Sequence, residues 1–230
     1  MHDLSQLENA LGVEFKNQDL LKEACTHRSY LNENPSWGFA HNERLEFLGD
    51  AVIELVVTEV LFGQFPEKPE GELTSFRAAL VNTKMLSDVA RSLHMNDYLL
   101  LSRGESKDTG RARHYILANT FEAVVGALYL DQGYGGAKKF LEEKLLSHIS
   151  EIIEKKLYKD PKSLFQEEAQ ERYGITPTYE VLSESGPAHE KHFMIGVFLN
   201  EEKIGEGSGP SKQAAQEAAA KKGLEAKGWE

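Results

Sequence analysis

Apolar residues recur at three- and four-residue spacing from the start of the chain to about Tyr158, and then the period changes. The first pattern puts apolar side chains on one stripe of a helix, and no stretch in it alternates as a half-buried strand does. Helical segments are predicted near Asp3 to Leu11, Asn17 to Thr26, Asn42 to Phe62, Glu72 to Leu93, Tyr115 to Asp131 and Gly136 to Tyr158. Pro66, Pro69 and Gly71 break the third from the fourth, and Arg103 to Arg113 reads as a polar loop. Beyond Lys159-Asp160-Pro161 a helix near Ser163 to Tyr173 leads into alternating stretches at Thr178 to Ser183, His192 to Leu199 and Lys203 to Ser208. A last, alanine-rich helix runs from Ser211 to Ala226. The expected fold is an all-α domain over residues 1–158, a linker at 159–161, and a small α+β domain of order α-β-β-β-α over 162–230.

No apolar run is long enough to cross a bilayer, so no membrane association is expected. Residues 1–8 lack the pattern of a secretory signal, and a single cysteine, Cys25, excludes an intrachain disulfide; both favour the cytoplasm. The net charge of -11 argues at first sight against a nucleic-acid partner. Residues 161–230 alone carry 8 basic and 12 acidic residues, so neither part is basic. Any contact with phosphate must come from local Lys and Arg clusters, with divalent metal offsetting carboxylates.

The densest chemical signal is His41 to Ala51, at the start of the third predicted helix. Glu43, Glu46 and Asp50 fall at i, i+3 and i+7 and share one face, with Leu45, Leu48, Val52 and Leu55 directed toward the core. Carboxylates set among so many apolar residues are costly unless a cation meets them, and a hard divalent ion with oxygen ligands does so. Asn119 and Glu122, at i and i+3 of another mostly apolar helix, can complete the set. The competing reading is a solvated acidic stripe paired with Arg44, Arg77 or Lys84. A di-iron site wants Glu-x-x-His pairs that neither helix has, and one thiol disfavours zinc. His27 and Arg28 read as helix-end residues capping backbone carbonyls.

The run Asn42-Glu43-Arg44-Leu45-Glu46-Phe47-Leu48-Gly49-Asp50 resembles the signature of ribonuclease III. Thr26-His27-Arg28-Ser29-Tyr30 before it, Glu70-Gly71 after it, and Ile116-Leu117-Ala118 through Glu122-Ala123 match in the same order. The resemblance implies an endonuclease that hydrolyses double-stranded RNA with magnesium, or manganese in its place, leaving 5′-phosphate and 3′-hydroxyl ends. It implies that Glu46, Asp50, Asn119 and Glu122 hold the metal, that Asp50 and Glu122 are catalytic, and that Glu43 and Glu70 line the same acidic valley. It also implies a homodimer with Phe47 at the interface, no small-molecule cofactor, and processing of ribosomal RNA precursors and other structured transcripts. Asn119 departs from the family's usual aspartate: an amide oxygen can bind magnesium but brings no charge, so weaker metal binding is expected.

The C-terminal order, with Gly207 to Lys212 leading into an alanine-rich helix, resembles the double-stranded RNA-binding domain. The resemblance implies RNA contacts from Gln166 and Gln170, from Pro187 to His189, and from Lys212. Such domains read duplex shape across two minor grooves, largely without reading sequence. Only Lys212 is basic at the start of the last helix, where family members often carry several basic residues; Lys221 and Lys222 read as a solvated face. Two other functions remain open at this point. One is a non-cleaving, dimeric double-stranded RNA-binding protein, which Asn119 favours. The other is a helical metalloenzyme acting on a small phosphoester, which leaves the second domain unexplained.

Overall fold

A computed structural model describes residues 4–107, 109–187 and 191–229. The chain divides into two compact units, Met1–Ile152 and Ile153–Glu230. In the first unit the described residues form helices α1 (Leu4–Leu11), α2 (Gln18–Ala24), α3 (Arg28–Glu33), α4 (Glu43–Gln64), α5 (Glu70–Val81), α6 (Thr83–Ser92), α7 (Arg103–Lys107) and α8 (Arg111–Lys144). Helix α9 (Ile149–Glu154) follows and runs into the second unit. The second unit holds α10 (Pro161–Tyr173), β1 (Thr178–Ser185), β2 (His192–Leu199), β3 (Glu202–Gly209) and α11 (Lys212–Lys227). The helical unit followed by an α-β-β-β-α unit is the expected fold class.

Local chemistry explains where the elements depart from expectation. The predicted helix over Glu72 to Leu93 is two helices, because Asn82 adopts an extended backbone between them. Its side chain closes α5 by donating to the Ala78 and Ala79 carbonyls and opens α6 by accepting from the Met85 N–H at 2.9 Å. The expected loop from Arg103 to Arg113 contains α7 and the first residues of α8. The stretch Thr26-His27-Arg28-Ser29-Tyr30 opens a further short helix, α3, that periodicity alone is too brief to reveal. Helix α8 breaks at Gly133, whose φ of 73° suits a residue without Cβ. Its second part stops at Lys144 and does not continue to Tyr158.

Helices α4 and α8 form the centre of the first unit, and they cross at two glycines. A Cβ on Gly49 would lie 1.8 Å from the Glu122 carbonyl oxygen, and one on Gly126 would lie 2.2 Å from the Leu45 carbonyl oxygen. The backbones therefore touch. This close approach sets the rotation of α4, whose buried stripe runs through Leu45, Gly49, Val52, Ile53, Val56, Val57 and Leu61. Leu48 is only half-buried, and Leu55 is 59% exposed rather than directed into the core. Phe121 and Phe140 stack on one another at 5.8 Å and Phe76 packs on Phe65 at 5.6 Å, each contributing about 1.5–3 kcal/mol by burial.

In the second unit β1, β2 and β3 form an antiparallel meander. Gly205, Gly207 and Gly209 alternate along the face of β3 on which α11 lies, and a Cβ on Gly207 would fall 2.2 Å from the Ala219 N–H nitrogen. The alanines of α11 and the glycines of β3 thus let a helix rest directly on a strand. Phe165, Ile195, Val197, Leu199, Ala219, Leu224 and Trp229 complete the core. Pro161 is the first residue of α10, capped by the Asp160 carboxylate, which accepts from the Ser163 N–H at 3.0 Å.

Candidate active site

The start of α4 is tied down before any carboxylate appears on it. Asn42 is 2% exposed; its amide donates to the Ala24 carbonyl at 3.2 Å and its N–H to the Thr26 carbonyl at 2.9 Å. Its own carbonyl accepts from the Glu46 N–H at 2.8 Å, so the first turn of α4 hangs on the end of α2. Thr26 also pairs with Leu100 in an isolated parallel bridge, and the Thr26 hydroxyl donates to the Lys22 carbonyl at 2.7 Å. His27 corrects the reading of it as a cap for carbonyls: it precedes α3, and its Nδ1 accepts from the Ser29 N–H at 3.2 Å. Burial holds its imidazole below the usual range, against the opposing fields of Glu105 and Glu43. An unprotonated Nδ1 is what that cap needs. Arg28 pairs instead with a carboxylate, its guanidinium lying 3.7 Å from Glu43.

Because α4 and α8 touch at Gly49 and Gly126, residues within two turns of those glycines are brought near one another across the crossing. Glu46 and Asp50 come from α4, Asn119 and Glu122 from α8. Their electrostatics show the grouping. The Glu122 carboxyl is pushed up to about 7 by burial first, then by the charges of Asp50 and Glu46. Burial and the charges of Glu43 and Asp50 raise Glu46 too, while a hydrogen bond from the Asn119 side chain works the other way. Five of the residues singled out by sequence, Glu43, Glu46, Asp50, Asn119 and Glu122, thus share one site.

The cations considered for this charge lie elsewhere. Arg77 pairs with Glu54 at 3.1 Å and Lys84 with Asp88 at 2.8 Å, so two of the partners considered for the acidic stripe are engaged away from it. Among the described residues, no ion pair joins a Lys or Arg to Glu46, Asp50 or Glu122. Nor do three His, Cys, Asp or Glu side chains already converge on a single ion position among those residues. Two half-buried carboxylates, Glu46 and Glu122, the exposed Asp50, an amide oxygen and no thiol fit a hard divalent cation.

Glu70 is not part of this group in the chain. It opens α5, its Oε1 accepts from the Thr74 hydroxyl at 2.9 Å, and it lines a cavity of about 360 Å³ with Leu61, Phe62, Leu73 and Arg77. That cavity sits near the far end of α4, where Leu61 lies about 16 Å along the axis from Asp50. The glycines at 49 and 126 and the tether at Asn42 are the positions that residue chemistry did not single out. A glycine within one turn of an acidic residue on each of two apolar helices is the signal that marks such a crossing.

In the second unit Gln166 and Gln170 are exposed one turn apart on α10, and Lys162, one turn earlier, donates to Gln216 of α11 at 2.7 Å. Lys212 is exposed at the start of α11 with its ammonium 5.8 Å from the Phe193 ring centroid. His189 lies outside the described residues. Lys221 and Lys222 are exposed, and Lys222 pairs with Glu225 at 3.1 Å.

Comparison with known proteins agrees with both halves. Residues 17–149 match the ribonuclease-III-like family and residues 161–227 match the double-stranded RNA binding motif. Ribonuclease 3 of a Nitratiruptor species is 45% identical over 224 residues, covering 97% of this chain and 96% of the relative. Ribonuclease 3 of Campylobacter fetus is 42% identical over 225 residues, covering 98% of each. The crystal structure of the nuclease domain of ribonuclease III from Campylobacter jejuni aligns with a TM-score of 0.58 at 40% identity, covering 64% of this chain and 97% of that one. A helical nuclease unit followed by an RNA-binding unit, related along nearly its whole length to such enzymes, belongs to the ribonuclease III family of metal-dependent endoribonucleases that cleave double-stranded RNA.

Proposed function

We propose that Glu46, Asp50, Asn119 and Glu122 hold magnesium, with manganese able to replace it, and that Asp50 and Glu122 are the catalytic pair. The observation that carries this reading is the half-buried Glu122 carboxyl, held near neutrality's edge by burial and by the charges of Asp50 and Glu46. When bound, a hard divalent ion supplies acidified water and neutralises charge developing on the phosphate. The residues themselves orient the scissile phosphate and supply no nucleophile. Water adds to phosphorus, the bond from phosphorus to the 3′ oxygen breaks, and the ends are a 5′-phosphate and a 3′-hydroxyl. Glu43 extends the acidic surface by one turn of α4.

The proposed assembly is a homodimer, which suits a substrate with two strands of opposite polarity. Phe47 is 81% exposed and Phe62 75% exposed, and with Leu55 they line one face of α4. An apolar face of this kind on a helix that is otherwise central to the core calls for a partner. Antiparallel pairing of two α4 helices sets Phe47 of one subunit against the cavity beside Phe62 of the other, and brings Glu70 toward the opposite acidic site. A structure of the Campylobacter jejuni nuclease domain, with a TM-score of 0.57 and 40% identity, concerns a region involved in dimer formation of that protein.

A linker ahead of α10 joins the two domains; that helix begins at Pro161 with Asp160 as its cap, so the expected linker at 159–161 overlaps the start of the RNA-binding domain. Gln166, Gln170, His189 and Lys212 contact duplex RNA by shape and phosphate, so substrates are structured transcripts, ribosomal RNA precursors among them, cut in the cytoplasm. No helix among the described residues is long and apolar enough to cross a membrane.

Cleavage of an end-labelled RNA duplex, with magnesium present or chelated, tests the site directly. Duplex cutting that needs magnesium, spares single-stranded RNA and disappears in Asp50→Asn is the expected result. Cutting that survives chelation, or survives Asp50→Asn unchanged, would overturn the assignment.

A further inference from the structure

Helix α3 presents one side chain whose position is rigid at its base and free at its head. Its first residue is Arg28. The backbone there is held from both sides: His27 caps Ser29, the Ser29 hydroxyl accepts from the Ser102 N–H at 3.0 Å, and the His27 N–H donates to Leu100 at 3.0 Å. The side chain is 70% exposed, and its ion pair with Glu43 is loose, at 3.7 Å. Glu43 is shared, since His41 Nδ1 also lies 3.7 Å from its carboxylate. An exposed pair of this length contributes little stability, about 0–1 kcal/mol in general, so the arginine is not committed to the fold.

Its surroundings define what it faces. Glu43 lies one turn before Glu46 on the same side of α4, which places the guanidinium at the rim of the carboxylate cluster. Arg44 is turned about 100° from Glu43 around the helix axis, toward the Phe47 side. Phosphodiester RNA approaching four carboxylates meets repulsion that a divalent ion relieves only where it sits, at the scissile phosphate. A neighbouring phosphate needs its own cation, and a planar, permanently charged guanidinium suits that role.

We propose that Arg28 grips a backbone phosphate of the RNA adjacent to the one being cut, leaving Glu43 when substrate binds. The proposal rests on the reading of the carboxylate cluster as the catalytic site. It makes Arg28 a substrate-contacting residue of the nuclease unit, separate from the RNA-binding module.

The test is duplex cleavage by the full chain at saturating magnesium, over a range of monovalent salt, for the parent, R28K and R28Q. For R28Q, kcat/KM should fall about tenfold at low salt, chiefly through KM, and its logarithm should depend less steeply on log salt, by about one unit of slope. R28K should keep the parent's slope, and the thermal midpoint should not move in either variant. A slope in R28Q equal to the parent's would overturn the proposal. So would a loss of activity that tracks a lowered thermal midpoint, because that is a structural role. If the parent itself does not cut the duplex, the catalytic reading fails first, and this one falls with it for that separate and visible reason.

Discussion

At the scale of single residues, Glu122 sets the pH behaviour. Its folded pKa, about 7, is raised above the ordinary value of 4.5. The metal-free protein therefore holds that proton more tightly than the unfolded chain does. The associated stability is full below 4.5 and is lost as pH rises through about 7. Glu122→Gln removes the cost of the charge, so metal-free Glu122→Gln should melt a few degrees above the parent at pH 8 and lose that advantage at pH 4; calorimetry with chelator present checks it. A divalent ion competes with the same proton, so its affinity should weaken as pH falls below about 7. Asn119 acts in the opposite direction to an aspartate: its side chain supports Glu46 by hydrogen bonding and adds no charge. Asn119→Asp should need several-fold less magnesium for half-maximal cleavage. A magnesium titration superimposable on the parent's would sink that idea.

At the scale of elements, the site depends on how closely α4 and α8 approach. Overpacking a well-filled contact costs about 1–3 kcal/mol, and more where backbone cannot yield. The atoms a Cβ on Gly126 would meet, the Leu45 carbonyl oxygen at 2.2 Å and the Gly49 nitrogen at 3.1 Å, are backbone. Gly126→Ala should therefore destabilise the first unit by about 3 kcal/mol or more and raise the magnesium requirement, because Glu122 moves away from Asp50. Thermal unfolding beside a magnesium titration reads both effects. Stability lost with the magnesium requirement unchanged would mean that the crossing does not position the ligands. The helical period and the carboxylate spacing made α4 and the pairing of Asn119 with Glu122 legible in advance. The division at Asn82 was not, because periodicity continues across a single extended residue whose side chain serves both helix ends. Leu55 misled for a related reason: a three-and-four spacing defines a stripe about the helix axis, and only the partner at Gly49 decides which side of that stripe is covered.

At the scale of the whole molecule, two units with separate cores lie on one chain, and the first exposes an apolar face on its central helix. Phe47→Ala should weaken subunit association by about 30-fold, the ordinary cost of removing an aromatic anchor from an interface. Sedimentation equilibrium measures it, and an unchanged association constant would place the dimer contact elsewhere. The acidic net charge is accommodated in the same way. Acidic residues outnumber basic ones in both units, and on the proposed reading a divalent ion offsets the cluster on α4 and α8 while Gln166, Gln170 and Lys212 make the duplex contacts. Residue order by itself determined the two fold classes and marked out the acidic face of α4, because periodicity and spacing are local properties. The fold alone decided three things: that glycines let α4 and α8 touch, that Glu70 stands apart from the cluster in the chain, and that Arg28 stands at its rim. Each depends on contacts between residues far apart in the chain, and such distances are fixed only when the helices pack.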